Sequence, residues 1–501
     1  MKRLLWLRMS RLVRSSRFWI PFFILCSLIG PHCAALPQTE DQAERLFDNA
    51  TTFMSAGKYK EALADLESII NNYGATATAP RALLEIGTYY LDVQQDYAKA
   101  LDYFSQIQSR YPSSSAAPAA YYYKAQIVEH QGQTPAQLEE AVADLIRMTN
   151  LYPDNSWRTE ANFLFGKLNL RLNDYDLSLS YFQRLEFFFS KSRFIPRALL
   201  LSAKAAYLRG NPRQSELILA RLQANFPTSE EADFAGQLMR LLHRFTGDAY
   251  PGLQLDQSFY GATPKKFSNP SAVVVDYANL VGIGDSKGAH FVHIGGNGNA
   301  PGAVSTRDLV DFCRDRQGNL LLVYKNQILD AQRQVKYASL SGNGTTLRDI
   351  RGVAVDAYGR LLVVDDDVKD VWAFSRDGQY LKSFGLNRPR KVRVFEDDIW
   401  VLNGDDDTFS RFDANFARRA LPGLGQMRDI EDFDFDPFGN LYILSDKGNQ
   451  LNILTRNGRA VSTVNLKNGT YPLKQAEAIA VDASGAVYLA DRRGGAVYRF
   501  Q

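Results

Sequence analysis

GVAVDAYGRLLVVD (residues 352–365), FDFDPFGNLYILSD (433–446) and AIAVDASGAVYLAD (478–491) follow one pattern. An apolar strand ends in Asp, a turn places Gly three residues later, and a second apolar strand runs to another Asp. A unit this short cannot bury its own faces and must stack on copies of itself. The C-terminal half is therefore predicted to be a repeat structure, with recognition surfaces in place of a single deep pocket.

Aligning the turns gives Asp276, Asp315, Asp356, Glu396, Asp436 and Asp482, spaced by about 40 residues. Six units of that length, each with three or four short strands, predict a six-bladed β-propeller over 267–501. In Asp-x-x-Gly the carboxylate accepts from backbone N–H groups of the turn, and Gly takes the positive φ that closes it. Asp377-Gly378 and Asn457-Gly458 stand between alternating strands as tight hairpin turns. The last unit ends after three strands at Gln501, and residues 253–260, LQLDQSFY, have the alternation to supply its fourth.

These units resemble the NHL repeat family. Units three, five and six match well. Units one, two and four are degenerate, as Ala278-Asn279 and Glu396-Asp397-Asp398 show, and the family's frequent Asn-Arg pair is absent. The resemblance implies a protein-binding propeller, while related six-bladed folds include lactonases and lyases.

Residues 42–245 carry a helical period. In 96–112, DYAKALDYFSQIQSRYP, the residues Tyr97, Ala100, Phe104 and Ile107 fall on one helix face, and Pro112 stops the helix. The anchor recurs at Ala62, Ala100, Ala141, Ser178 and Ser215, giving about five units. Each anchor helix follows another with a small residue at its closest approach, namely Ala50, Gly87, Ala125, Gly166 and Ala203. Residues 246–266, rich in Gly, Pro and Thr, form a linker and propeller-closing strand between the halves.

The helical units resemble the tetratricopeptide repeat, in a degenerate form. Their aromatic-Pro endings (Tyr111-Pro112, Tyr152-Pro153, Phe226-Pro227) are similar to the periplasmic branch containing outer-membrane assembly lipoproteins. The expected fold class is thus multidomain, an α-helical solenoid followed by a β-propeller. In such an array function sits on the inner faces of the first helices, where alignment places Phe47, Tyr122, Phe163, Lys167, Arg171, Lys204 and Tyr207. Aromatic and basic groups in a groove suit a peptide with apolar anchors and an acidic end.

The first 35 residues read as a secretory signal: six basic residues, the apolar run of 18–30, then Pro31 and small residues at Ala34 and Ala35. The apolar run is short for a membrane span, and the alternative is an uncleaved anchor. Cys33 as a lipid-attachment site is disfavoured by the Gly30-Pro31-His32 that precedes it. The whole chain has 58 basic and 55 acidic residues, a net of +3. Without the six basic residues of the segment the net is −3, which removes the support for nucleic-acid binding. Only Cys313 lies beyond the segment, so no intramolecular disulfide is expected there.

No GxSxG, HExxH, Walker loop or Cys/His metal spacing occurs. His290 and His293, three apart on a strand, point to opposite faces. The acid runs Asp365-Asp366-Asp367 with Asp370, and Asp405-Asp406-Asp407, offer calcium-type ligands, but they follow second strands, where Asp shapes turns. The reading is a non-enzymatic scaffold with no cofactor and no metal. It is exported to the periplasm or associated with the outer membrane. It contacts envelope proteins or peptides through the helical groove and a propeller face. It binds no nucleic acid and meets membrane only through its signal, an anchor or partners. The alternative is a metal-dependent lactonase- or lyase-like propeller with a helical docking arm.

Overall fold

The computed structural model describes residues 36–131, 134–246, 252–256, 267–275, 280–293, 304–305, 309–315, 319–330, 332, 334–385, 388–404, 406–424, 427–467, 469 and 471–501. The chain divides into two compact units, 1–120 and 121–501. The division falls inside the helical array and not at its end.

The first unit holds α1 (Leu36–Ser55), α2 (Tyr59–Asn72), α3 (Ala79–Asp92) and α4 (Tyr97–Arg110). Ala62, Leu66 and Ile69 of α2 and Ala100, Phe104 and Ile107 of α4 are buried, as the helical period predicts. Gly87 is required by packing, because a Cβ there would lie 2.5 Å from Phe104 Cε1.

The division falls within α5 (Ala117–Gln131), and the second unit continues through α6 (Pro135–Leu151), α7 (Arg158–Arg171), α8 (Tyr175–Phe188), α9 (Ile195–Leu208), α10 (Pro212–Asn225) and α11 (Glu230–Thr246). The second helices start on side-chain caps: Thr134, Asp174 and Asn211 accept from Gln137, Leu177 and Gln214 N–H. Each ends on an aromatic C-cap, Tyr152, Phe189 or Phe226. Gly166 repeats the close approach of Gly87, with a Cβ position 2.3 Å from Phe182 Cε1.

Six antiparallel blades follow among the described residues, with a two-stranded ribbon of Ser341–Gly342 and Thr345–Thr346 between the second and third. Blade one is Ala272–Val275, Leu280–Asp285, Gly288–His293 and Val304–Ser305; blade two is Leu309–Arg314, Leu320–Tyr324, Ile328–Asp330 and Val335–Tyr337. Blade three is Ile350–Val355, Leu361–Asp365, Asp370–Phe374 and Tyr380–Gly385; blade four is Pro389–Phe395, Asp398–Asn403, Phe409–Phe412 and Arg418–Arg419. Blade five is Asp432–Phe435, Leu441–Ser445, Gln450–Leu454 and Ala460–Asn465. Blade six has three strands, Ala476–Val481, Val487–Asp491 and Ala496–Phe500. Its outer edge is met by residues 253–256: Leu255 bridges Phe500, Gln254 and Gln501 exchange backbone bonds of 3.0 and 2.8 Å, and Asp256 N–H donates to Arg499 O. The rest of the 253–260 segment lies outside the described residues, as do the turns at Asp276 and Ala278-Asn279.

Two local readings change. In Asp377-Gly378 and Asn457-Gly458 only the Gly takes positive φ (79° in each), and the register slips by one at each hairpin. A two-residue I′ turn needs both residues at positive φ, so these are longer loops with a Gly bulge. The linker also does not separate two cores. One apolar cluster runs from Leu199, Leu222, Leu238 and Leu242 of the helices into Tyr442, Leu451, Ile479, Leu489 and Phe500 of blades five and six. A second joins Leu145 and Leu168 to Tyr358 and Ala414.

Candidate interaction site

The three quoted turns share one construction. Asp356 accepts from Tyr358 and Arg360 N–H, Asp436 from Phe438 and Asn440 N–H, and Asp482 from Ser484 and Ala486 N–H, all at 2.8–3.0 Å. Gly359, Gly439 and Gly485 then take φ of 77–80°. All three carboxylates are buried. The first is paired to Arg360 at 2.6 Å and the third to Arg499 at 3.4 Å. The second is held by amides, with Asn440 Nδ2 donating at 2.7 Å. Burial therefore pushes Asp436 up to about 7.

These turns lie against the helical array. Arg171 Nη2 of α7 donates to Ala357 O at 3.0 Å, and its guanidinium lies over the Tyr358 ring. On α9, Lys204 pairs with Glu396 in the turn of blade four. Tyr207 donates to Asn440 Oδ1 at 2.9 Å and packs on the Phe438 ring at 4.2 Å. Burial, then the nearby Asp436, pushes the Tyr207 hydroxyl up. On α11, Arg244 donates to Gly485 O at 2.9 Å, and a Cβ on Gly485 would meet Leu241 at 2.3 Å. Gly485 thus serves both the turn and the helix contact. At the blade-three hairpin, Arg376 donates to Gln131 Oε1 at 2.9 Å.

The seven groove residues proposed from sequence divide into three groups. Arg171, Lys204 and Tyr207 come together on the propeller turns, so the groove at α7 and α9 holds part of the same chain. Lys167 pairs with Glu129 of α5 at 2.8 Å. Tyr122 stacks on Trp157 at 4.9 Å, Phe163 on Phe194 at 4.8 Å, and Phe47 is buried beneath Arg81 in the first unit. Burial pushes Tyr122 up to about 12. The turn residues Tyr358, Phe438 and Asn440 were missed. The signal for the first two was a large aromatic side chain in the middle of a tight turn, which the turn itself does not need.

Charged residues converge inside the ring. Arg393 of blade four pairs with Asp311 of blade two at 3.1 Å and with Asp432 of blade five at 3.5 Å. Lys391 lies 3.6 and 3.8 Å from the same two acids, and Arg314 is 3.9 Å from Asp434. Burial alone would raise Asp311, yet Arg393 and Lys391 hold it below the usual carboxylate range. Asp434 is raised, because its burial outweighs Arg314 and Arg393.

The acid runs meet backbone and cations. Asp365 accepts from Arg348, Asp349 and Asp367 N–H, and Asp491 from Lys474, Gln475 and Gly494 N–H. Each clamps the connection entering its blade to its own turn. In blade five the final Asp446 falls one residue late, and Ser445 takes the strand position. Asp366 pairs with Arg351, Asp407 lies 3.6 Å from Arg390, and Asp406 accepts from Thr408. Asp405 and the side chains of His290 and His293 lie outside the described residues. Among the described residues, no group of three or more His, Cys, Asp or Glu is placed to hold a metal ion.

Tetratricopeptide-repeat family models match residues 47–115 and 197–229, and a model described as SdiA-regulated matches 413–500. No curated protein matches the chain. Among solved structures, a streptogramin B lyase is 12% identical over 51% of this chain and 99% of its own, with a TM-score of 0.37. A gluconolactonase from Xanthomonas campestris is 12% identical over 50% and 94%, with a TM-score of 0.41. The WD40 propeller domain of Doa1 is 13% identical over 50% and 97%, with a TM-score of 0.36. Tetratricopeptide repeats thus lie within the N-terminal helical array, and a six-bladed β-propeller follows it.

Proposed function

We propose that this protein is an exported, periplasmic interaction scaffold that acts by binding and not by catalysis. The observation that carries the reading is the face formed by α7, α9 and α11. It already recognises extended turn segments, through Arg171, Lys204, Tyr207 and Arg244, in the chain's own propeller. Repeat arrays and propellers generally serve protein–protein contact. The acids inside the ring add support, since Asp311 and Asp432 are engaged by Arg393 and Lys391.

The proposed partners are envelope proteins or peptides, and the proposed mature chain starts near Leu36. Crosslinking in intact cells followed by affinity recovery should return a defined envelope protein, and sequencing of the recovered chain should begin near Leu36. Recovery of no partner, together with lactonase or lyase turnover lost in an Asp365→Asn variant, would replace the scaffold with the enzyme reading. An intact Met1 would replace cleavage with a retained anchor.

A further inference from the structure

The helix pairs of the array end in one construction. The two residues before each aromatic C-cap are exposed: Asn71-Asn72, Ser109-Arg110, Asn150-Leu151, Phe187-Phe188 and Ala224-Asn225. The fold thus asks only for solvated side chains there. In the fourth pair it has two phenylalanines, 80% and 66% exposed, their rings edge-to-face at 4.9 Å. The residue after the C-cap is also changed. Pro112, Pro153 and Pro227 follow three of the C-caps and Gly74 follows Tyr73, whereas Ser190 and the cation Lys191 follow Phe189.

Cations surround this tip. Arg158, Arg184, Lys191, Arg193 and Arg197 are all exposed, and none of them forms an ion pair among the described residues. Arg158, Arg184 and Arg193 instead lie over the rings of Phe189, Tyr181 and Phe194, at 6.0, 5.7 and 5.0 Å. The neighbouring acid on α8, Glu186, is paired with Arg221 at 3.0 Å. Asp154 and Glu160 belong to the preceding turn and the start of α7. The equivalent position in that turn is Leu151, itself 61% exposed.

The tip is also clear of the propeller contacts. Tyr207 lies twelve residues along α9 from Ile195, a rise of about 18 Å. No helix among the described residues is long and apolar enough to cross a membrane.

We propose that the α8–α9 turn is a membrane-surface contact, in which Phe187 and Phe188 enter the headgroup layer of an anionic bilayer and Arg184, Lys191, Arg193 and Arg197 meet its phosphates. Two features favour a bilayer over a protein partner. The aromatic pair projects from the turn, so a rigid partner would need a matching pocket whereas lipid deforms around it. Cations that carry no acidic partner among the described residues complement a surface of repeated negative charge. This contact is separate from the N-terminal segment and from the scaffold surface, and it adds a direct membrane contact to those expected from sequence.

The test is hydrogen exchange on the full chain with added vesicles, read at residues 184–197 so that binding by the N-terminal segment does not interfere. Phosphatidylglycerol vesicles should slow exchange in these residues severalfold, and phosphatidylcholine vesicles should not. The variant Phe187→Ser with Phe188→Ser should lose the protection while keeping its melting temperature, because both side chains are exposed. Lys191→Glu with Arg193→Glu should lose it as well. No protection with anionic vesicles overturns the proposal. So does equal protection by neutral vesicles, or protection that appears only with a crosslinked protein partner.

Discussion

Tyr207 of the array donates its hydroxyl to Asn440 of blade five, and through that amide it reaches the buried carboxylate of Asp436. A helix inner face is thereby tied to the residue that shapes a propeller turn. Tyr207→Phe should cost about 1 kcal/mol, since Asn440 Oδ1 keeps its bond from Arg456 N–H at 3.3 Å. Tyr207→Ala also removes the packing on Phe438 and should cost roughly 2–4 kcal/mol. Because one apolar cluster spans helices and blades, far-UV helix signal and the near-UV signal of Trp372 and Trp400, read in a Trp157→Phe background, should shift together in thermal melts. Separate shifts would show that the two parts unfold independently.

The charges inside the ring make a second prediction. Arg393→Met leaves Asp311 and Asp432 buried with only Lys391 at 3.6 and 3.8 Å. Breaking a buried pair on one side costs roughly 3–5 kcal/mol, and Lys391 should hold this case near the lower end. Denaturant unfolding measures it. If the change is within about 0.5 kcal/mol, water or neighbouring groups already solvate the acids in the native protein.

Asp436 gives the pH dependence. Its folded value is raised to about 7, against roughly 3.9 for an unfolded aspartate. Between those values the folded state binds the extra proton, so this group's contribution to stability falls as pH rises from about 4 to 7 and is flat above. Linkage bounds the loss at about 4 kcal/mol. Asp436→Asn should flatten the stability profile over pH 5–7, measured by denaturant unfolding at several pH values. A profile as steep as wild type would assign the dependence to other groups.

The fold was legible because its signals are periodic. Ala62, Ala100, Ala141, Ser178 and Ser215 all mark buried helix contacts, and Asp356, Asp436 and Asp482 all mark turns. Repetition averages out the degeneracy of single units. The contacts between array and propeller were not legible, because they join residues such as Arg171 and Ala357 across 186 positions without any repeat. Lys204 and Tyr207 were singled out as groove residues, yet no spacing says that the groove's occupant is the chain itself. The acid run at Asp365 was legible as turn chemistry, because it follows a second strand. Asp365 and Asp491 each spend their oxygens on three backbone N–H groups.

Ring closure supplies the last prediction. Blade six presents Ala496–Phe500 as its outer strand, and residues 254–256 pair with that edge. Asp256 contributes twice, since its N–H donates to Arg499 O at 2.8 Å and its carboxylate pairs with the Arg499 guanidinium. Asp256→Pro removes both contacts, while Asp256→Asn keeps the backbone bond and removes only the charge. The proline variant should lose roughly 2–4 kcal/mol and the asparagine variant about 1–2 kcal/mol. A freed strand edge also templates association. The proline variant should therefore scatter light at temperatures where wild type and Asp256→Asn remain clear. If Asp256→Pro melts and scatters like wild type, the 254–256 pairing is not what closes the ring, and the three strands of blade six are sufficient.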